Sequence, residues 1–528
     1  MSAKQYIRAS GARIFLANYG IRQNPDSTDG IHRGVIAKKL PQWCPKLRVL
    51  LPAQFVSRLM KSSSFRWLAL VPVLVLVAVC PGLGQYPLSA QEHLVTVVPD
   101  GCWTWFNDPR AIFHNGALYV GAVQAAGGGR SVLQAFDLKT GQATRLWTSS
   151  LAENDDHDVP GLLVLPDGRL FANYARHGRD QFFCHRTSLN SNPVSPADWG
   201  EEKRIAPTGA GFTYANPFRL TSEPGKLYEF SRNLNFNPTL FISTNGGAGW
   251  SGPQWMIQTG KGSTRPYLKY SSDYQSRIDF LYTDAHPDNF TCSLYHMYYQ
   301  AGSFRKTDGS FLSSLADLPL QHDAGQRGST IYQYHAEPGA SPDEWIAGAR
   351  AWCWDVATQS NGAPYCVFQT KVDAVTGTNW FDARIYYYYA RWTGSAWQKR
   401  FIAQAGRPFY KGQPDYGGGI ALDPVDPDTV YLSSIAANPF DLGTTTEVPL
   451  APHYEIYKGV TRDGGLTFKW SAVTTHSPVD NGRPYVPRRM GGEPCVLWWR
   501  GTYTTYTAFN TSIMGLFTSE VPGSNLIK

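Results

Sequence analysis

Charged side chains are scarce: Asp, Glu, Lys and Arg make up 17% of the 528 residues. Helical bundles and coiled coils build their exposed faces from such residues, and disordered chains are rich in them, so all three architectures are excluded. Long apolar runs are missing as well. The main one, Trp67–Val79, has 13 residues, short of the ~20 that a membrane-spanning helix needs. The eight cysteines include no C-x-x-C pair, which removes the common zinc folds. Positive charge is confined to one end. Residues 1–90 hold 12 Lys and Arg beside only Asp26 and Asp29, leaving 36 bases against 39 acids and a formal charge of −3 for the rest. No basic stripe remains to follow a phosphate backbone, so nucleic acid is not an expected partner.

What is present is 14% aromatic residues, with 50 Gly, 36 Pro, 29 Tyr and 17 Trp. Aromatics suit pleated, half-buried surfaces and Gly and Pro close tight turns, so the expected class is all-β. From Met60 the chain reads as a basic start, the apolar run and a small-residue segment ending in Leu88-Ser89-Ala90. This is the pattern of a signal peptide over 60–90, implying a secreted or periplasmic protein without a stable span in its mature form. Residues 1–59 read as a leader or a mis-assigned extension. Removing these segments takes Cys44 and Cys80 with them and leaves Cys102, Cys184, Cys292, Cys353, Cys366 and Cys495. These six are compatible either with disulfides, Cys353 to Cys366 being the one pairing suggested, or with buried free thiols.

Short apolar strands recur along the body: ALYVGAVQ from Ala117, RLFANYAR from Arg169, KLYEFSRN from Lys226, IDFLYTDA from Ile278, WIAGARAW from Trp345, TVYLSSIA from Thr429 and CVLWWRGT from Cys495. Their starts are 52, 57, 52, 67, 84 and 66 residues apart, the length of a four-stranded blade with variable loops. A seven-bladed β-propeller over 91–528 is the expectation, with two stacked β-domains as the alternative. No linker or composition break divides residues 95–520. Two segments, Ser243–Trp250 and Thr461–Phe468, have the form of the Asp-box turn, in which an acidic or amide side chain binds turn amides, the glycines take positive φ and an aromatic ring packs beneath.

In a propeller, polar groups at the ends of inner strands gather at one mouth of the central channel. Such groups stand beside consecutive repeats: Arg176 and His177 after FANYA, Arg232 after YEFS, and Asp284 and His286 after FLYT. The acidic run Glu153–Asp158 contains His157, 20 residues before His177, and Tyr214, Arg265 and Tyr267 precede the strands of neighbouring units. Two histidines, two arginines and two tyrosines without an obvious carboxylate pair suit β-elimination from a uronic acid. That reaction needs a cation on the C6 carboxylate, a base for the weakly acidic C5 proton and an acid for the departing O4. Arginine supplies a fork for carboxylate, histidine exchanges protons near neutral pH, and tyrosine can act when a neighbouring cation depresses its pKa.

The segments CWTWFNDPRAIF, HDVPGLLVLPDGRLFANYARHG, TYANPFRL, STRPYLKY, FLYTDAHPDN with LYHMYYQ, and YEIYKGVTRDGGLTF with NGRPYVP resemble the family with bacterial neuraminidase repeats of type four. The likeness runs from about Cys102 to Pro487. The family includes propeller polysaccharide lyases, among them ulvan lyases and rhamnosyl-glucuronate lyases. The resemblance implies a catalytic group of His157, His177, Tyr214 and Arg232, with Arg232 neutralising the uronate and Tyr214 near the scissile bond. Arg265 and Tyr267, with His286 and Arg176 beside the same strands, are the candidate substrate contacts. It further implies a monomer acting on an acidic polysaccharide, with no required cofactor and a structural calcium as an option at the acidic run. Two other readings stay open: a sialidase-like or other glycoside hydrolase, with Arg110, Arg232 and Arg384 around a carboxylate, and a non-catalytic carbohydrate-binding propeller.

Overall fold

A strand covered on both faces reads as a continuous apolar run, and such strands fill the middle of each sheet here. A computed structural model of the protein describes residues 92–527, apart from 207, 261–264, 289, 374–382, 411, 444–447 and 489–493. The leader and signal peptide expected over 1–59 and 60–90, with Cys44 and Cys80, lie outside these residues.

Seven antiparallel sheets follow one another as blades. Blade 1 comprises Ala111–His114, Ala117–Val123, Arg130–Asp137 and Gln142–Ala152, ordered from the channel outward. Blade 2 comprises Gly161–Val164, Leu170–Tyr174, Phe183–Thr187 and Lys203–Ile205, and blade 3 Thr213–Phe218, Leu227–Arg232, Pro238–Ser243 and Gln254–Trp255. Blade 4 begins with Leu268–Ser272, Arg277–Thr283 and Leu294–Gln300 and carries extra outer strands. Blade 5 runs from Arg350–Thr358 to Trp397–Gly406, and blade 6 from Ile420–Leu422 to Lys469–Ala472. Blade 7 is closed by the beginning of the described chain. Glu92–Val98 pairs antiparallel with Ala508–Phe517, outside Cys495–Thr505 and Asp480–Tyr485. Closing the ring in this way leaves no unpaired end between first and last blades. Among the described residues there is no α-helix, only short 3-10 turns, and no helix is long and apolar enough to cross a membrane.

The repeats found in the sequence are the second strands of their blades, not the innermost ones. Ala117–Val123 and Thr429–Ala436 are buried along their whole length between adjacent blades, which is why they stand out. Inner strands such as Gly161–Val164 are short and carry little signal. The fifth unit departs from expectation. Trp345–Ala349 forms a turn that leads into the innermost strand Arg350–Thr358, and the true second strand is Pro364–Val372. The suggested Cys353–Cys366 disulfide is also absent: all six cysteines of the propeller are buried thiols, and Cys353 faces Phe368 across the ladder while Cys366 faces Val356.

In the turn at 461–468, the Asp463 carboxylate accepts from the amides of Leu466 and Thr467 at 3.0 and 2.9 Å. At 243–250, Asn245 Oδ1 accepts from the Gly249 amide at 2.7 Å and Trp250 packs edge-on against Phe183. Both turns join third to fourth strands and so lie at the end of the blades away from the histidines. The channel is filled rather than open. Trp105 stacks on Trp354 with centroids 4.1 Å apart, Tyr416 packs edge-on, and the buried Arg483 guanidinium lies 5.2 Å from the Trp105 ring.

Candidate active site

Antiparallel pairing brings the start of a blade's first strand and the end of its second to the same end of the sheet. In blade 2 Gly161 pairs with Asn173, and in blade 3 Thr213 pairs with Arg232. The strand ends at these pairs and the two loop types that flank them carry every candidate residue. His157 lies on the connection from blade 1 into blade 2, and His177 on the turn that follows the second strand of blade 2. Tyr214 is the second residue of blade 3 and Arg232 the last of its second strand. Arg265 and Tyr267 lead into blade 4, and His286 follows its second strand.

The His157 loop is fixed from both sides. The Glu153 amide donates to the Gly129 carbonyl at 2.6 Å, and Gly129 has φ +71°. A Cβ at that position would stand 2.2 Å from the Glu153 carbonyl oxygen, so only glycine lets the two segments meet. From blade 7, Arg483 and Tyr503 both bind the Asp156 carboxylate, the Tyr503 hydroxyl at 2.6 Å.

Asp155 joins the two histidines. Its Oδ1 lies 2.5 Å from His157 Nδ1 and its Oδ2 2.7 Å from His177 Nδ1. The imidazoles stack with centroids 4.0 Å apart and planes 14° from parallel. Their proton affinities are driven apart. Burial alone would depress His157, but the Asp155 charge and hydrogen bonds to Asp155 and Asp156 outweigh it and lift the pKa to about 9. Burial and the His157 charge, with Arg232, depress His177 to about 4 against the pull of Asp155. Burial opposes ionisation of Asp155, yet the charges and hydrogen bonds of both histidines hold it well below the usual carboxylate range. One histidine is therefore an imidazolium and the other a neutral imidazole at neutral pH. Asp155 can only accept and Arg232 can only donate, so His177 carries its proton on Nδ1 and its lone pair on Nε2, 2.6 Å from Arg232 Nη2. The His177 side chain is 23% exposed, whereas His157 is buried.

Arg232 is the hub. Besides His177 it donates through Nη1 to the Tyr267 hydroxyl at 2.7 Å, and its guanidinium lies 4.9 Å from the centre of the Tyr214 ring. Among the described residues its Nε has no partner and no carboxylate is in contact with it. The Tyr214 hydroxyl is buried without a hydrogen-bond partner among the described residues, and burial pushes the phenol well above its usual range despite the Arg232 charge. The expectation of a cation-depressed tyrosine is overturned here, because loss of hydration outweighs the cation; Tyr214 is an undissociated phenol rather than a phenolate. Its backbone is in the left-handed region, φ +66°, a strained setting for a bulky residue of the kind found at functional sites.

On the far side His286 packs edge-on against Tyr267, centroids 5.1 Å apart. Its Nδ1 accepts from the Asp288 amide at 3.1 Å, which leaves its proton on Nε2, 3.7 Å from Asp415 Oδ2. Burial, then Arg265 and Arg232, depress His286 to about 3, and burial lifts Asp415 to about 7. Arg265 packs its guanidinium 5.5 Å from the Phe236 ring. Arg176 does not join the group: both arms of its fork are engaged by Asp180, at 2.7 and 2.6 Å.

Three participants escaped sequence reasoning. Asp155 lay unmarked in the acidic run Glu153–Asp158, Asp415 belongs to a stretch without a repeat signal, and Tyr506 comes from the last blade. Tyr506 lies edge-on to both imidazoles, centroids 5.4 and 6.0 Å away. Only the D-D-H-D pattern around His157, with carboxylates on either side, carried a local hint.

The acidic run does not fit the structural calcium that the resemblance leaves open. Calcium takes six to eight oxygen ligands, whereas Asp155 is bound to two imidazoles, Asp156 to Arg483 and Tyr503, and Glu153 to Arg179 and the His177 amide. Asp155, His157 and His177 do place one donor atom each within 4.8 Å of one another, but the donors of this set already bind each other.

These histidines make stability depend on pH in opposite senses. The folded pKa of His157, about 9, stands above the 6.5 of a free imidazole. Its contribution is full below pH 6.5 and is lost as pH climbs through 9. His177, at about 4, leaves the unfolded chain binding the extra proton, so stability falls as pH drops from 6.5 towards 4. The advantage in thermal midpoint of the wild type over His157→Gln is expected to shrink between pH 6.5 and 9, which calorimetric scans of the two proteins check.

The family profile of BNR repeat-containing members matches residues 119–405. The chain belongs to this family. The matched span holds His157, His177, Tyr214, Arg232, Arg265, Tyr267 and His286. No curated protein matches the chain in sequence. Among solved structures, an ulvan lyase of a polysaccharide lyase family, bound to -[GlcA(1-4)Rha3S]-, superposes at TM-score 0.57 with 13% identity over 80% of this chain and 95% of its own. The same enzyme without that ligand gives 0.57 and 14% over the same shares. A Penicillium chrysogenum α-L-arabinanase with arabinobiose covers 81% of this chain and 99% of its own at 12% identity and a TM-score of 0.38. At these identities the lyase likeness establishes a shared propeller fold.

Proposed function

We propose that this protein is a secreted polysaccharide lyase that cleaves beside a uronic acid by β-elimination, with His177 as base, Tyr214 as acid and Arg232 as the carboxylate anchor. The observation that carries this reading is a buried guanidinium without a carboxylate partner, in contact at once with a neutral imidazole and an undissociated phenol. The uronate carboxylate draws Arg232 away from His177 and frees the Nε2 lone pair. His177 then takes the C5 proton, and the C–H electrons pass into an enolate held by Arg232 and by the positive charge of His157 behind it. Collapse of the enolate forms the C4–C5 double bond and breaks the C4–O4 bond as Tyr214 gives its proton to O4. The phenol is restored by the proton now on His177, directly or through solvent. The glucuronate-containing ligand of the structurally similar ulvan lyase supports the choice of substrate class.

Hydrolysis finds less support. A hydrolase of the usual kind needs two carboxyl groups flanking the bond, but Asp155 is held between histidines, Asp156 by Arg483, and Asp415, lifted to about 7 by burial, faces His286. The three-arginine arrangement of a sialidase is not assembled either. Arg110 is buried and donates to the carbonyls of Asn107, Thr104 and Trp105 and to Asp108. Incubation with ulvan and other uronate polymers is expected to produce the ultraviolet absorbance of a conjugated enoate. Sugar release without that chromophore would mean hydrolysis, and binding without any release would mean a recognition module.

A further inference from the structure

The turn that follows Arg232 holds an aromatic ring out into water beside the site. Among the described residues three large aromatic side chains are exposed, Phe236, Phe311 and Trp345. Phe236, at 51%, is the one that meets the site's arginines. The guanidinium carbons of Arg232 and Arg265 lie 5.6 and 5.5 Å from its ring centre.

This exposure is built in rather than frayed. Asn235 and Phe236 have φ of +49° and +59°, consecutive left-handed residues, which is unfavourable for a bulky aromatic. The turn is nevertheless braced throughout. Asn233 Nδ2 donates to the Ala210 carbonyl at 2.8 Å, the Leu234 amide to Thr239 Oγ1 at 3.1 Å and the Asn237 amide to the Leu234 carbonyl at 2.8 Å. Backbone strain together with an apolar surface left in water is a pairing that folding alone does not favour, and it points to a ligand.

We propose that Phe236 is a stacking platform for the neutral pyranose next to the uronate, and that it sets the protein's preference for glycans alternating acidic and neutral sugars. The inference rests on Arg232 being the uronate anchor. The Phe236 ring adjoins that anchor, and one sugar further along the chain the C–H face of a pyranose can cover it. An aromatic face offers a second carboxylate nothing, because its surface is electron-rich.

The test compares wild type with Phe236→Asn and Phe236→Gly, which remove the ring but tolerate the left-handed backbone, and with Phe236→Trp. With ulvan as probe, both truncations are expected to raise KM by about tenfold or more, as for loss of a buried contact residue, with kcat and the acid limb of the pH profile little changed. Phe236→Trp is expected to retain the wild-type KM. With polyglucuronate, which has no neutral sugar, all four proteins are expected to share one KM. Equal KM values on ulvan, or an equal loss on polyglucuronate, overturn the platform. Wild type that yields no unsaturated product from ulvan overturns the elimination reading instead. The platform is then decided by calorimetric titration with ulvan oligosaccharides: weaker binding by the truncations at an unchanged thermal midpoint supports it, and equal affinities or no binding by wild type overturn it.

Discussion

His177→Ala is expected to lower kcat on a uronate polymer by roughly a hundred- to ten-thousand-fold, the usual worth of a positioned general base, while KM changes little. The reason is the Nε2 lone pair. It belongs to a neutral imidazole whose other nitrogen is held by Asp155, so the base is oriented and unprotonated before substrate arrives. Wild-type kcat/KM is expected to rise as pH passes through about 4, where His177 loses its proton, and to fall as pH passes through about 9, where His157 loses the charge that supports the enolate. The acid limb is expected to vanish in His177→Ala. In His157→Gln it is expected to move upward, because the neighbouring positive charge that depresses His177 is gone. Rates measured from pH 3 to 10 on the three proteins decide the matter, and an acid limb that persists without His177 would assign the base elsewhere.

Arg232→Lys and Arg232→Gln are expected to lose roughly a hundred- to a thousandfold in kcat/KM, the scale on which a single oxyanion-binding donor acts. Lysine keeps the charge but not the fork that grips a carboxylate while holding Tyr267, so its loss is expected mainly in KM. Glutamine also removes the charge that keeps His177 from protonating, so its acid limb is expected to rise above about 4. That shift separates an electrostatic partner of the base from a residue that only binds substrate. Steady-state kinetics on ulvan across the acid range provide both readouts, and a profile identical to wild type at reduced rate would confine Arg232 to binding.

Legibility in the sequence followed burial. The second strands were visible because neighbouring blades cover both their faces, as in Ala117–Val123 and Thr429–Ala436. The inner strands, which carry the channel, were not visible, and the fifth repeat was therefore read one strand early, at a turn. His177, Arg232 and His286 could be singled out because each stands at or just past the end of a recognisable second strand, whereas His157, Tyr214 and Tyr267 adjoin inner strands and were picked out by the acidic run, by their place ahead of the repeats and by the family resemblance. Adjacency of the same kind made Arg176 look equivalent to His177, although its fork turns to Asp180. Tyr506 directly follows the last repeat strand, Cys495–Thr505, where an aromatic ring reads as core packing, whereas Asp415 adjoins no repeat strand and nothing local marked it.

Residue order alone determined that the chain is all-β and built from seven units, because strand burial and turn chemistry are local properties repeated at a steady period. Which histidine is charged and which is neutral was decided only by tertiary structure. The protonation states of His157 and His177 depend on Asp155 lying between them, on Arg232 55 residues past His177, and on Arg483 and Tyr503 reaching Asp156 from the last blade. A pKa is set by the charges and the water around a group in space, and only closure of the ring brings those charges together and excludes that water.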